Sequence, residues 1–411
     1  MQGQMKYSSV PFWIIWIVLF CHPTSLNSAQ QAIERTTSEN TNIVSAALLV
    51  LGPGDDIVSA FGHAALRMCS PTYGLDFVFT YETDPDADML TFLEGRAAAK
   101  FVAVPTSVFL KDMGKTGRGV MQYDLNLSLQ QKQRLWQMLD EEVVLPQKRH
   151  FDHEHQCLSM CLELLQATLG KEDRIVWHSP DAAADQRNGT LLRRFTSEAP
   201  WTEFVLMTVV GVQYDDYVSE NARLSPMMIG LHLSRSVLLN TTTTAQRPTV
   251  IKTTRLLPEQ RTETRQVITP NILFGLLLLC IICLTLWEWH KKERFLTGIY
   301  IDGALLILQA LVGLLLFHVY LFSPVFGHHW NWYFVVFNPI PVLVWLFVRR
   351  HTWYYRLCAL YSLILVIFMC LTPFVGQLDM AHQMITAIFA LRAGHRYALG
   401  KFVIKHNEVK R

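Results

Sequence analysis

Apolar positions along the chain fall into two regimes. Between residues 30 and 240 they come in short runs broken by polar and turn-forming clusters. Val44–Leu51 is an apolar run of strand length, and Gly52-Pro53-Gly54-Asp55-Asp56 after it has the composition of a turn. Phe61–Met68, Phe77–Glu82 and Gly119–Leu127 read as further strands. Ser128 then caps a helix through Val144, with Leu129, Leu135, Trp136, Leu139 and Val143 at near-helical spacing. Cys157–Leu169 reads as a second helix, closed by Gly170. The stretch 180–240 is mostly helical in pattern. Together these segments predict one soluble α+β domain over residues 30–240.

From residue 271 the apolar runs lengthen. Five candidate spans follow at roughly 271–289, 297–322, 331–348, 354–374 and 381–398, each near the ~20 residues a helix needs to cross a bilayer. They predict an all-α transmembrane domain over 271–400. The fifth is interrupted near its end by Arg392, His395 and Arg396. Asp302 stands near the cytoplasmic end of its span, where it can snorkel, and Gln309 is deep enough to pack between helices. Residues 241–270, rich in Thr, Pro, Arg and Gln, read as a linker. Lys291, Lys292 and Arg294, then Arg349, Arg350 and Arg356, then the tail 401–411 with Lys401, Lys405, Lys410 and Arg411 occupy alternate ends of the spans. The positive-inside rule makes those ends cytoplasmic and puts the soluble domain outside. Residues 1–29 agree with that orientation. They read as a secretory signal with Lys6 in the n-region, Pro11–Cys21 as the apolar stretch and Asn27-Ser28-Ala29 at the cleavage site.

Length and composition add limits. The chain has 411 residues, which favours more than one domain, and 51% of them are hydrophobic, so part of it belongs in lipid. A net charge of +2 carries no signal for nucleic acid. Of the 8 cysteines, only Cys69, Cys157 and Cys161 fall in the exported domain outside the signal. Three is odd, so at least one thiol is free unless it pairs between chains.

The candidate chemistry follows from two of these residues. Cys157 opens an apolar helix, where unpaired N–H groups and the helix dipole stabilise a thiolate. His63, in Phe61-Gly62-His63-Ala64-Ala65-Leu66-Arg67, lies on a short strand and can supply the imidazole that takes the proton and later returns it. The histidine precedes the cysteine, the reverse of ordinary papain order, and this order predicts a circularly permuted papain-like fold. A third group must orient the imidazole. Asp76 begins the next strand, and a hairpin can bring it to His63; Tyr81, His155 and Ser59 are supporting candidates. Cys161, one turn into the helix, reads as core filler. The structural alternatives are an inert buried thiol at Cys157 and a satisfied core histidine at His63. A metal site is a further rival, because His150, His153, His155 and Cys157 crowd eight residues with His63 available. The spacing matches no standard zinc pattern, so no metal is expected. At the outer membrane interface Trp330, Asn331 and Asn338 read either as an aromatic belt and a proline-kinked helix, or as a lateral mouth that contacts a lipid substrate.

These residues resemble the Lnb family of lipoprotein N-acyltransferases. The family's N-terminal block is Gly-Pro-Gly-Asp, then Ser-x-Phe-Gly-His-x-Ala-Leu-Arg. Here it reads Gly52-Pro53-Gly54-Asp55, then Ser59-Ala60-Phe61-Gly62-His63-Ala64-Ala65-Leu66-Arg67. Asp76 and Tyr81 occupy the places of the aspartate and tyrosine that follow, and Gln122-Tyr123-Asp124-Leu125-Asn126-Leu127-Ser128 also looks like the family. Where the family reads Asn-Cys-x-Thr-Arg, this chain has Gln156-Cys157-Leu158-Ser159-Met160, keeping the cysteine. The resemblance implies a multi-pass protein of the bacterial inner membrane with its catalytic domain in the periplasm. It implies acyl transfer from a membrane phospholipid, through a Cys157 thioester, to the N-terminal amine of diacylated bacterial lipoproteins. His63 would be the base, and no cofactor beyond the phospholipid donor would be required. A thiol peptidase or amidase of the envelope, and a non-catalytic membrane binding module, remain the other classes.

Overall fold

The computed structural model describes residues 45–54, 59, 61–84, 86–147, 149–151, 155–177, 193, 196, 199–211, 226–260, 267–291, 296–323, 331–348, 353–375 and 379–409. The expected signal segment, His153 and Trp330 lie outside the described residues.

The apolar runs of the N-terminal half become strands β1 (Ser45–Leu51), β2 (His63–Ser70) and β3 (Leu75–Thr83). Helix α1 (Met89–Leu93), strand β4 (Ala98–Pro105), helix α2 (Thr106–Lys115) and strand β5 (Val120–Leu125) follow. Helix α3 (Leu129–Val144) starts in a capping box: Ser128 Oγ accepts from the Gln131 N–H, and Gln131 Oε1 accepts from the Ser128 N–H. Strand β6 (Arg149–His150), helix α4 (Cys157–Leu169) and strand β7 (Asp173–Val176) come next. Helices α5 (Pro200–Val210) and α6 (Pro226–Arg235) fit the helical pattern expected there, and strands β8 (Val237–Asn240), β9 (Gln246–Pro248) and β10 (Val250–Leu257) complete the domain.

Seven strands make one antiparallel sheet in the order β10-β5-β1-β2-β3-β4-β6, and β7-β8-β9 form a small second sheet. Side chains alternate between the faces of the large sheet. Leu48, Leu66, Phe79 and Phe101 join Leu135 of α3 and Leu158, Cys161 and Leu165 of α4 in one core. Leu49, Leu51, Ala65 and Val78 meet Phe109 of α2 in the other. Complete burial of each such Leu or Phe is worth about 1.5–3 kcal/mol. That burial fixes α4 against β2 and β3, and with it the position of Cys157.

Residues 241–270 were expected to be a linker, and the structure corrects this: β9 and β10 lie inside them, and β10 pairs with β5 at the edge of the sheet. Val250-Ile251-Lys252-Thr253-Thr254-Arg255-Leu256-Leu257 is rich in β-branched residues. An edge strand needs few buried side chains, which is why it lacks the apolar signal of a core strand.

Helices α7 (Pro270–Lys291), α8 (Leu296–Phe322), α9 (Ile340–Val348), α10 (Tyr354–Val375) and α11 (Met380–Val409) form the C-terminal part. Among the described residues three helices are long and apolar enough to cross a membrane, those within α7, α8 and α10. The segment expected as the third span is broken. Asn331 caps a 3₁₀ turn over Trp332–Val335, and Asn338-Pro339 separates it from α9. The 9 residues of α9 rise about 13.5 Å, under half of the ~30 Å hydrocarbon core. The break is held from α8 and α10, since the Val336 carbonyl accepts from Gln309 Nε2 at 2.7 Å and from the Tyr361 hydroxyl at 3.3 Å.

The 30-residue α11 carries charges that are buried rather than snorkelled. Arg392 Nε donates to Asp302 Oδ1 at 2.6 Å, and its Nη1 donates to Glu288 Oε2 at 2.9 Å and Thr285 Oγ1 at 3.0 Å. His395 Nε2 meets Glu288 Oε2 at 3.1 Å, and Arg396 Nε donates to Asp302 Oδ2 at 3.1 Å. Asp302 is therefore an interior anchor between α8 and α11, which corrects the snorkelling expectation. In hydrocarbon a carboxylate beside two guanidiniums is more stable inward than in isolation.

Polar contacts join the two halves. Asn331 Nδ2 donates to the Thr208 and Val209 carbonyls of α5 at 2.9 and 3.0 Å. His382, stacked between Phe204 and Tyr333, meets Thr208 Oγ1 at 2.8 Å. His318 of α8 meets Glu94, next to α1, at 2.6 Å.

Candidate active site

Cys157 is the first residue of α4, and His63 the first of β2. Gly62, at φ +79°, turns the chain into β2 in a region open to glycine. The preceding loop is tied to the Ser59 carbonyl, which accepts from Gly54 N–H at 2.8 Å and Gly62 N–H at 2.9 Å. Ser59 thus shapes the loop through its backbone. On the other side, the Gln156 N–H donates to Ser159 Oγ at 2.9 Å, which fixes the start of α4 and the attitude of Cys157.

Cys157 is buried and His63 part-buried, and each shifts the titration of the other by charge and hydrogen bonding. Burial pushes the Cys157 thiol up, but the imidazolium charge of His63, its hydrogen bond and the Ala64 N–H outweigh this, and the thiol titrates below its ordinary value. Burial likewise pushes His63 down, but the Cys157 thiolate and the Glu82 carboxylate outweigh burial and the opposing Arg118, and the imidazole titrates above its ordinary value. The two shifts have one origin, the close coupling of a thiol and an imidazole, each favouring the charged form of the other. Cys161 is the contrast. It is fully buried, packed in the same core, and pushed well above the ordinary thiol range by burial and by the Cys157 charge.

The third group is not Asp76. In an antiparallel hairpin the start of the second strand lies beside the end of the first, and Asp76 pairs with Cys69, six residues beyond His63. There its carboxylate takes a bidentate pair from Arg67 at 2.8 and 2.7 Å and a hydrogen bond from Thr106 at 2.6 Å. Burial raises its pKa, yet these partners hold it below the usual carboxylate range. The same register carries the far end of β3 to His63. Its Nε2 lies 2.6 Å from Thr80 Oγ1 and 3.5 Å from Glu82 Oε1, and the Thr80 hydroxyl donates to Glu82 at 2.7 Å. Thr80 and Glu82 sit two apart on one face of β3. That spacing is visible in the sequence, whereas the register that sets Thr80 opposite Ala65, and so near His63, is set by the structure.

The remaining candidates scatter. Tyr81 is buried beside Phe101, with ring centroids 5.2 Å apart, in the core that also holds Cys157. His155 stands half-buried two residues before Cys157. Asn331 caps the 3₁₀ turn and grips α5, as above, while Asn338 donates to the Val335 carbonyl and accepts from the Ile340 N–H. Neither asparagine adjoins His63. Of the metal rival, His150 Nδ1 turns to the Arg96 carbonyl at 2.9 Å. Among the described residues no three His, Cys, Asp or Glu side chains are grouped to hold an ion.

Arranged in this way, the site can present a thiolate to an electrophilic carbon, return a proton from His63 to a leaving group, and hold the imidazolium through Thr80 and Glu82. Comparison with known proteins gives this geometry its context. No curated protein and no solved structure matches the chain. Residues 30–169 match the family model of the Lnb N-terminal periplasmic domain, and residues 262–401 match that of the Lnb transmembrane domain. The first span contains both His63 and Cys157, and the second contains the broken segment and the buried charges. A membrane protein with a periplasmic-type sheet-and-helix domain ahead of a helical membrane domain, this chain belongs to the Lnb family.

Proposed function

We propose that this protein is a lipoprotein N-acyltransferase of the bacterial inner membrane, working through a permuted papain-like periplasmic domain and a membrane domain of five helical segments. The observation that carries the reading is the coupled Cys157–His63 pair, its thiol lowered and its imidazole raised, in a domain hydrogen-bonded to membrane helices. A thiol site that served only soluble peptides would have no use for that docking.

Two displacements make up the reaction. The Cys157 thiolate attacks the carbonyl carbon of a phospholipid ester. As the C–O bond breaks, the His63 imidazolium gives its proton to the departing alkoxide, releasing lysophospholipid. The neutral imidazole then takes a proton from the α-amine of a diacylglyceryl cysteine as that amine attacks the thioester. Cys157 leaves as thiolate, and the lipoprotein carries a new amide. Thr80 and Glu82 hold the imidazole in register and favour its charged form. The residues supply both proton transfers, and the phospholipid supplies the acyl group.

The test is mass spectrometry of Cys157 in protein isolated from native membranes, before and after hydroxylamine. A fatty-acyl mass that hydroxylamine removes, and that Cys157→Ala abolishes, is the expected result. A bare thiol after incubation with excess phospholipid would overturn the reading and favour a peptidase or a binding module.

A further inference from the structure

A second feature of the membrane domain is independent of any chemistry at Cys157. Between α8, α9, α10 and α11 lies a cavity of about 480 Å³, lined by Phe317 and Tyr320 near the C-terminal end of α8 and by Tyr354 at the start of α10. Its walls are apolar except at a few points, and one of these is Arg396. The Arg396 side chain is buried, with 7% of its surface exposed. Only its Nε is engaged, by Asp302; among the described residues its two Nη nitrogens have no hydrogen-bond partner. Asp302 meets its charge, but Nη donors left open on an apolar cavity are costly unless a ligand's acceptor oxygens reach them.

Depth identifies the ligand. Arg396 precedes Lys401 by five residues, about 7.5 Å of helix rise, and Tyr354 is the first residue of α10. Both belong to the end of the bundle that carries the basic loops, so the polar end of the cavity lies at the headgroup level of the cytoplasmic leaflet. The apolar length above it runs toward the broken segment. Planar guanidinium donors match phosphate oxygens, and basic pockets between helices on the cytoplasmic side suit lipid headgroups. The broken segment contributes to the wall, with Phe334, Val335 and Asn338 lining the cavity beside Ile340 and Val344 of α9.

We propose that this cavity is a binding site for one phospholipid of the cytoplasmic leaflet, its phosphate on the Arg396 Nη donors and one acyl chain upright between α9 and α10. The site is distinct from the periplasmic thiol, which faces the opposite leaflet.

Native mass spectrometry of the full-length protein in detergent tests this, with phosphatidylglycerol and phosphatidylethanolamine as phosphate probes and palmitate as a carboxylate probe. The wild type should retain one tightly held phospholipid of either headgroup. Arg396→Gln should weaken that binding at least about tenfold, as expected for the loss of a charge-assisted pair. Because Arg396 also pairs with Asp302, a second variant is needed that leaves the ion network intact. Val344→Trp fills the cavity from α9 and should likewise expel the lipid while the thermal midpoint stays close to wild type. A phospholipid with a mid-chain diazirine should crosslink to peptides of α9 and α10 in the wild type and not in Val344→Trp. Equal lipid retention in all three proteins would overturn the proposal, and so would palmitate displacing phospholipid or crosslinks confined to the outer surfaces of α7.

Discussion

At the scale of single residues the site rests on one carboxylate set opposite His63. Glu82 raises the pKa of both members of the pair, since its charge favours the imidazolium and disfavours the thiolate. Acyl-thioester formation should therefore follow a bell in pH, rising as Cys157 deprotonates and falling as His63 does, with apparent values that belong to the pair. Glu82→Gln removes the charge from both, so both limbs should move to lower pH. Stopped-time measurement of thioester formation across pH reads this directly, and a profile that stays in place would remove Glu82 from the site. Asp76→Asn supplies the contrast. It loses the Arg67 pair on a part-exposed carboxylate, which costs about 1 kcal/mol of stability, and the profile should not move. The sequence made His63 and Cys157 legible through their local settings, a glycine before a strand and a helix start. It misassigned the third residue because proximity along the chain suggested Asp76. Antiparallel register decides otherwise, and it brings β3 back to His63 only at Thr80 and Glu82.

Elements were readable in proportion to how fully they are buried. β1, β2, β3, β5, α3 and α4 lie within a residue or two of where periodicity set them, because each fills a core. β10 did not show, since an edge strand presents its Thr and Arg side chains to water. The broken third segment shows why apolar length alone misleads in the membrane domain. Residues 331–348 are apolar enough for a span, yet Asn331 and Asn338 redirect the backbone, and Gln309 and Tyr361 satisfy a carbonyl that no helix bond reaches. Gly313 of α8 makes the close approach possible, for a Cβ there would collide with the carbonyl of Phe337. Gly313→Ala should accordingly force the break away from α8 and cost roughly 1–3 kcal/mol as an overpacked core site. Thermal unfolding in detergent measures it, and a midpoint equal to wild type would mean that the segment yields without strain.

Across the whole molecule, two devices relate the thiol domain to the bilayer. The buried charges of Glu288, Asp302, Arg392, His395 and Arg396 tie α7, α8 and α11 at the end of the helices away from the thiol domain's contacts. Arg392→Met removes the guanidinium shared by both carboxylates, leaving Asp302 to Arg396 and Glu288 to His395, and should cost roughly 3–5 kcal/mol, visible as a large fall in thermal midpoint; a small fall would show that Arg396 and His395 suffice to neutralise them. At the other end Asn331 holds α5 by two carbonyls and His318 meets Glu94. If the thiol draws its acyl group from the membrane, this docking matters for chemistry as well as for folding. Asn331→Leu leaves the Thr208 and Val209 carbonyls without their donor and the Tyr333 N–H without its cap, a loss of about 1–3 kcal/mol at the junction, and lies away from His63. Two probes then separate. Iodoacetamide arrives from water and should alkylate Cys157 in the variant at the wild-type rate. A vesicle phospholipid arrives from the bilayer and should form the thioester more slowly in proportion to how far the domain swings from its seat. Parallel loss of both reactions would mean that the variant has disturbed the thiol site itself. Retention of both would mean that the junction only packs, and that the reach of Cys157 to lipid is set elsewhere in the chain.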